Sequence, residues 1–188
     1  MRISQMRCAA RLIRCCTRLL AVPIGFILGA APAAAAQDSP DVRAELRCLA
    51  LNIYFEARGE PDRGKIAVGQ VVMNRVHAAR YPDSICGVVK QGGADRLHQC
   101  QFSWWCDGRS DTPRDRDAWA HSKALAQQIY WGLAVDPTGG ALWYHAHYVA
   151  PEWRTRFARG PVIGEHIFYL PTRRVAAAEV APGAVRMD

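Results

Sequence analysis

"CLALNIYFEARGEPDRGKIAVGQVVMNRV", residues 48–76, begins as a helix with one apolar stripe and then puts a glutamate where the stripe continues. Counting from Leu46 at a period of 3.6 residues, Leu49, Ile53 and Glu56 share a face, so a carboxylate points the same way as the leucine and isoleucine before it. Such a carboxylate is desolvated, and in the last turn of its helix it also meets the negative end of the backbone dipoles. Both effects disfavour ionisation. They push Glu56 above the ordinary carboxylate value of about 4.3, towards the protonated form that a general acid needs near neutral pH. The competing reading is a last-turn surface residue paired with Arg58 or Arg63.

Outward from this stretch, Gly59 and Pro61 end the first helix, which is expected over residues 41–58. A second helix is expected over 63–79, with Ile66, Ala67, Val68, Val71, Val72 and Val76 turned inward. Between the two, Glu60 reads as a loop residue that helps to start the second helix. Further on come a short apolar piece, "ICGVVKQ", an irregular aromatic segment, "CQFSWWCDG", and a third helix over 115–133. "ALWYHAHYV" and "VIGEHIFYL" each read as one strand or extended stretch. The class is α+β, mainly α, with a small β element in a single domain over 37–170. The Pro, Ala and Arg-rich residues 171–188 read as a disordered tail.

The chain of 188 residues carries a formal charge of +7, which invites a nucleic-acid reading. The charge is uneven. Arg2, Arg7, Arg11, Arg14 and Arg18 lie in the first 36 residues, where there is no acid. Taking those five from 24 basic residues leaves 19 against 17 acidic, so the remainder is close to balanced and no nucleic-acid partner is expected. The same 36 residues have the form of an export signal: arginines, an apolar run from Leu19 to Ala31 too short to span a bilayer comfortably, and small residues up to a cleavage site near Ala36. A periplasmic or secreted protein without stable membrane association follows, and retention of the segment as an anchor is the alternative. Cys8, Cys15 and Cys16 leave with the signal, and Cys48, Cys86, Cys100 and Cys106 remain, an even set suited to an oxidising compartment. Three pairings are possible; Cys48 with Cys86 and Cys100 with Cys106 are favoured over one bridge and two buried thiols.

Taken together, "YFEARGEPDRGKIAVGQVVMNRV", "YPDSICGVV", "CQFSWWCDG", "YHAHYVAPEW" and "IGEHIFY" resemble the cell wall hydrolase family typified by the spore-cortex-lytic enzyme SleB, over about residues 46–169. The resemblance implies a lysozyme-like domain that cuts the peptidoglycan glycan strand between N-acetylmuramic acid and N-acetylglucosamine. It also implies that the catalytic glutamate is the first of "EARGE", which is Glu56. Ordinary glycoside hydrolysis needs a second carboxylate. None of Glu60, Asp83, Asp95 and Asp107 has an environment that marks it as one, so a lytic transglycosylase with Glu56 as acid and then base is the expected outcome, with a muramidase second.

The family's "QFS" and "YHA" words put Gln101, Ser103, Tyr144 and His145 towards substrate, and sugar-stacking planes are available in Phe102, Trp104, Trp105, Trp143, Tyr144 and Tyr148. His145 and His147 would share a strand face, which raises a zinc-dependent amidase as one alternative, but His166 has no recognisable ligand spacing to them. A non-catalytic wall-binding protein is the other. No cofactor is expected, and the partner is the peptidoglycan glycan strand, bound by a monomer. N-terminal sequencing of the exported protein should find a start near Gln37; a start at Met1 would rule out cleavage.

Overall fold

The computed structural model describes residues 39–93, 97 and 99–172. The expected signal and residues 173–188 of the expected tail lie outside them. Helix α1, Pro40–Ala57, opens with Ser39 as N-cap, whose hydroxyl accepts from the Val42 N–H at 3.3 Å, and with proline at its first position. Leu49 and Ile53 are fully buried on its inner face. Each contributes about 1.5–3 kcal/mol of apolar burial.

Helix α2, Asp62–Val76, stops three residues short of the expected end, and its N-cap is Pro61 without a side-chain cap. Its small and branched residues Ala67, Val68, Val71 and Val72 are buried. At Gly69 a Cβ would press on Ile129 and Ile53, so the glycine sets how closely α2 approaches its neighbours. The piece "ICGVVKQ" forms a short helix α3, Ile85–Val89, capped by Ser84. Glu45 of α1 accepts from the Ile85 and Cys86 N–H groups and so holds its start. A 3₁₀ turn, Ser103–Cys106, carries the aromatic segment. Helix α4, Arg116–Tyr130, begins at an Asp115 cap and packs Leu125, Ala126 and Ile129 into the core with α1.

The β element differs from the expectation of two separate strands. Strand β1, Trp143–Ala146, is short, and "VIGEHIFYL" is a hairpin: β2, Ala158–Ile163, turns at Gly164 and Glu165 into β3, His166–Leu170. All pairings are antiparallel in the order β1-β3-β2. The turn needs Gly164, which has a φ of +57° and no room for a Cβ against the Glu60 carboxylate. The alternating pattern concealed that turn because its apolar residues continue on both sides of the glycine.

The sheet packs on α2. Phe168 joins Ala57, Val68, Val71 and Ile163 in a second buried cluster, with Tyr144 against it. Its opposite face carries His145 and Tyr169, stacked at 5.3 Å, with Trp153 edge-on to both rings. The polar side of α2 fixes where the sheet begins. Gln70 donates to the Ala134 carbonyl at 2.8 Å, Asn74 to Asp136 at 3.0 Å and to the Ala141 carbonyl at 3.1 Å, and Arg75 Nε to the Leu142 carbonyl at 2.8 Å. Among the described residues no helix is long and apolar enough to cross a membrane.

Both favoured disulfides are formed, Cys48–Cys86 and Cys100–Cys106. The first ties α1 to α3 across 38 residues, the second closes a loop of 6. Because the longer loop loses more freedom when closed, removing Cys48–Cys86 by paired alanine substitution should lower unfolding free energy by about 2–4 kcal/mol. Denaturant unfolding of the two paired variants should place Cys48–Cys86 as the more stabilising bridge; the reverse order would show that loop closure is not what the bridges contribute.

Candidate active site

Glu56 sits in the last turn of α1 on the face begun by Leu49 and Ile53, as its spacing requires. Its partner is neither Arg58 nor Arg63. Arg58 donates to the Tyr54 hydroxyl at 3.0 Å and lies over that ring. The Glu56 carboxylate instead accepts from the Tyr144 hydroxyl at 3.0 Å, bringing α1 and β1 together across 88 residues. Burial raises the Glu56 pKa above the ordinary carboxylate range, and it does so against the Tyr144 hydrogen bond and the positive charge of Arg75, which pull the other way. Tyr144 is pushed well above its own ordinary value, first by burial and then by the adjacent Glu56 charge. It therefore stays protonated and serves as a donor.

Arg75 was not singled out in the sequence, where it reads as a helix-end cation. It is 2% exposed. Its Nε holds the Leu142 carbonyl, its guanidinium lies 5.3 Å from the centroids of both Tyr81 and Phe102, and its Nη1 has no hydrogen-bond partner. A buried cation with an unpaired N–H and a glutamate within electrostatic reach is costly as pure structure. The signal available in the sequence was an arginine at the inward register of a Val-rich helix, one position before Val76.

Arg75 and Tyr144 line a cavity of about 300 Å³ with Gln101, Trp143, Trp153 and Phe157. Two of the four expected substrate-facing residues, Gln101 and Tyr144, thus meet here. Ser103 is exposed at the start of the 3₁₀ turn and is not among the cavity's lining residues. His145 is turned to the other side of the sheet by strand alternation. It is 8% exposed, with Nδ1 against the Ala146 carbonyl at 2.9 Å and Nε2 against the Tyr169 hydroxyl at 3.0 Å. That is a histidine oriented by hydrogen bonds and away from Tyr144. β1 ends at Ala146, so His147 is off the strand, paired with Glu165 at 3.1 Å. Among the described residues no three His, Cys, Asp or Glu side chains converge in a way that could hold a metal ion.

The aromatic candidates divide. Phe102 and Trp104 belong to the core; Trp104 stacks on Phe55 at 4.9 Å and donates to the buried Asn52 at 3.3 Å. Trp105 lies under Lys90 at 4.9 Å, and Tyr148 is exposed. Trp143 does line the cavity, stacked on Phe157 at 3.6 Å. Trp153 and Phe157, four apart across the 3₁₀ turn Glu152–Arg156, were not read as wall residues; that four-residue spacing was the available signal.

Glu60 does not start α2. Its carboxylate reaches the β2–β3 turn, accepting from the Glu165 N–H at 3.1 Å and lying 3.5 Å from His166 Nδ1, while its carbonyl accepts from Lys65 Nζ of α2 at 2.6 Å.

The elevated Glu56 value has a consequence for stability. The folded protein holds this proton more tightly than the unfolded chain, so stability is lost as pH rises from the ordinary glutamate range through the elevated one. Glu56→Gln, which keeps an acceptor for Tyr144 and carries no charge, should match the native protein at low pH and exceed it above that window. Thermal melts across pH check this, and a difference that does not change with pH would show that burial has not raised the pKa of Glu56.

A family model described as Cell Wall Hydrolase matches residues 59–169. Glu56 precedes that stretch by three residues. The chain is 32% identical over 126 residues to a spore cortex-lytic enzyme of Oceanobacillus iheyensis and, over the same length, to one of Bacillus cereus; each alignment covers 66% of this chain, and 41% and 43% of those proteins. The chain thus matches less than half the length of these curated relatives. Among solved structures, the catalytic domain of the germination-specific lytic transglycosylase SleB from Bacillus anthracis aligns with a TM-score of 0.56 at 28% identity, covering 72% of this chain and 99% of that one. The catalytic domain of Bacillus cereus SleB aligns at 0.53 and 27%, covering 76% and 99%. With its matched stretch running through α2, the cavity-lining residues and all three strands, the chain belongs to the cell wall hydrolase family.

Proposed function

We propose that this chain is an exported peptidoglycan glycosidase that cleaves between N-acetylmuramic acid and N-acetylglucosamine as a lytic transglycosylase, with Glu56 as general acid and then base. The observation that carries it is a half-buried Glu56 carboxyl held by the hydroxyl of Tyr144, a tyrosine that lines the cavity beside the buried cation Arg75, with no carboxylate among the described lining residues. Glu60, the nearest carboxylate in sequence, is committed to the hairpin turn.

In the first half of the reaction the protonated Glu56 gives its proton to the glycosidic oxygen. The C–O bond breaks, and positive charge develops at the muramic anomeric carbon. The carboxylate so formed is stabilised by the Tyr144 hydroxyl and by the charge of Arg75. In the second half it takes the proton of the muramic 6-hydroxyl as that oxygen attacks the anomeric carbon. The ring closes to a 1,6-anhydro end, and Glu56 is again protonated. One carboxyl serves both halves and no water enters, so the chemistry requires no second acid. Trp143, Trp153 and Phe157 supply apolar faces for sugar rings, and Gln101 an amide for hydroxyl or acetamido groups.

Digestion of purified sacculi with mass spectrometry of the products is the test. The native protein should release anhydromuramic ends, with a rate that falls as pH rises through the elevated Glu56 pKa. Glu56→Gln should lose about 10²–10⁴-fold in turnover, since an amide cannot donate that proton, while still binding glycan. Glu60→Gln should keep most of its turnover and lower stability by about 1 kcal/mol through the weakened hairpin tie. Reducing ends would assign a hydrolase, chelator-sensitive release of peptides an amidase, and binding without product a wall-binding protein.

A further inference from the structure

Outside the catalytic cavity, the seam between α1 and α4 carries a second concave site. A cleft of about 310 Å³ between α1 and α4 is lined by Arg43, Leu46, Arg47, Trp119, Lys123 and Gln127. Arg47 and Lys123 both lie over the Trp119 ring, at 5.9 and 5.7 Å. Arg47 is also a wall of an adjoining cleft of about 370 Å³, where Lys90 lies over Trp105 at 4.9 Å. Asp111 is the only acid among the described residues lining either cleft. Beyond residue 36 the chain is nearly balanced, with 19 basic and 17 acidic residues, so this is a local concentration of positive charge rather than the surface of a basic protein.

From these features we infer an exosite for the acidic stem peptides of peptidoglycan, an inference that rests on the wall-cleaving reading above. The lining matches that chemistry in kind. Arg47 and Lys123 suit free carboxylates, as charge-assisted and, for arginine, bidentate pairs. Trp119 and Leu46 suit alanine methyl groups, and Gln127 a peptide amide. Arg47 stands nine residues before Glu56, about two and a half helical turns, and so projects from the opposite side of α1. The stem it holds therefore belongs to a neighbouring strand of the wall and not to the bond being cut, which makes the cleft an anchor that keeps the enzyme on insoluble substrate between cuts.

The test compares the full chain with Arg47→Glu/Lys123→Glu in co-sedimentation with purified sacculi across salt concentrations, and in turnover of soluble, peptide-free glycan chains. The charge reversal should weaken sacculus binding by about tenfold or more and flatten its salt dependence. Turnover of peptide-free chains and the melting temperature should stay as in the native protein. Arg47→Lys/Lys123→Arg should bind like the native protein, and sacculi stripped of stem peptides by an amidase should bind the native protein as weakly as intact sacculi bind the reversed variant. A soluble stem peptide titrated onto the native chain should move the Trp119 indole resonance. Unchanged sacculus binding on charge reversal, or equal affinity for stripped and intact sacculi, would overturn the inference. So would capture by anionic phospholipid vesicles together with no response to the peptide. If neither protein releases glycan products, the glycosidase reading fails, and the binding comparison still decides the cleft.

Discussion

The buried Arg75 is the constraint on which the site depends. Its Nε holds the Leu142 carbonyl while Asn74, beside it, holds Asp136 and Ala141, so the end of α2 fixes where β1 begins. Two residues after Leu142 comes Tyr144, whose hydroxyl must reach the last turn of α1. A shift of one residue in that register would turn Tyr144 away from Glu56. The three elements that make the site are thus connected through side-chain hydrogen bonds, to backbone carbonyls from α2 and to a carboxylate from β1, which specify position more tightly than apolar contact alone. The unpaired Nη1 and the desolvated charge are the energetic cost of putting an arginine there.

The two glutamates of "EARGE" show how four residues of sequence separate two environments. Glu56 lies in the last turn of a helix, where burial raises its pKa and the hydroxyl of Tyr144, a cavity-lining residue, holds its carboxylate. Glu60 lies past the helix end, where Gly59 redirects the chain, and its carboxylate fills the space that Gly164 leaves in the hairpin turn. The second is a structural tie, a hydrogen bond from the Glu165 N–H with His166 alongside. The first is a destabilising placement, with a charge-bearing group continuing an apolar stripe, of the kind that functional sites retain at the expense of stability.

Elements set by local periodicity were legible before the structure. The stripe of α1, the inward face of α2 and the third helix follow from residues within a turn or two of each other, and the helix limits moved only by a few positions. The hairpin was not legible as such, because alternation is the same on both sides of a turn and only the positive φ at Gly164 separates the strands. Nor was the fate of the aromatics. Trp104 became core because the 3₁₀ turn carries it against Asn52 and Phe55, a contact across about fifty residues that spacing does not encode, and Phe102 because it lies against Arg75.

By itself, the sequence determined that a glutamate continues a buried helical face, that four cysteines can pair in an order matching the fold, and that the chain's words are those of cell wall hydrolases. Those properties are local or compositional, and backbone geometry alone converts them into structure. Only the tertiary structure decided that Tyr144 and not an arginine meets Glu56, that Arg75 lies within its electrostatic reach, that His145 turns away, and that Glu60 serves a turn over a hundred residues distant. Such partnerships depend on how distant segments close on one another, and in a strand a single position of register decides which of two faces a side chain occupies.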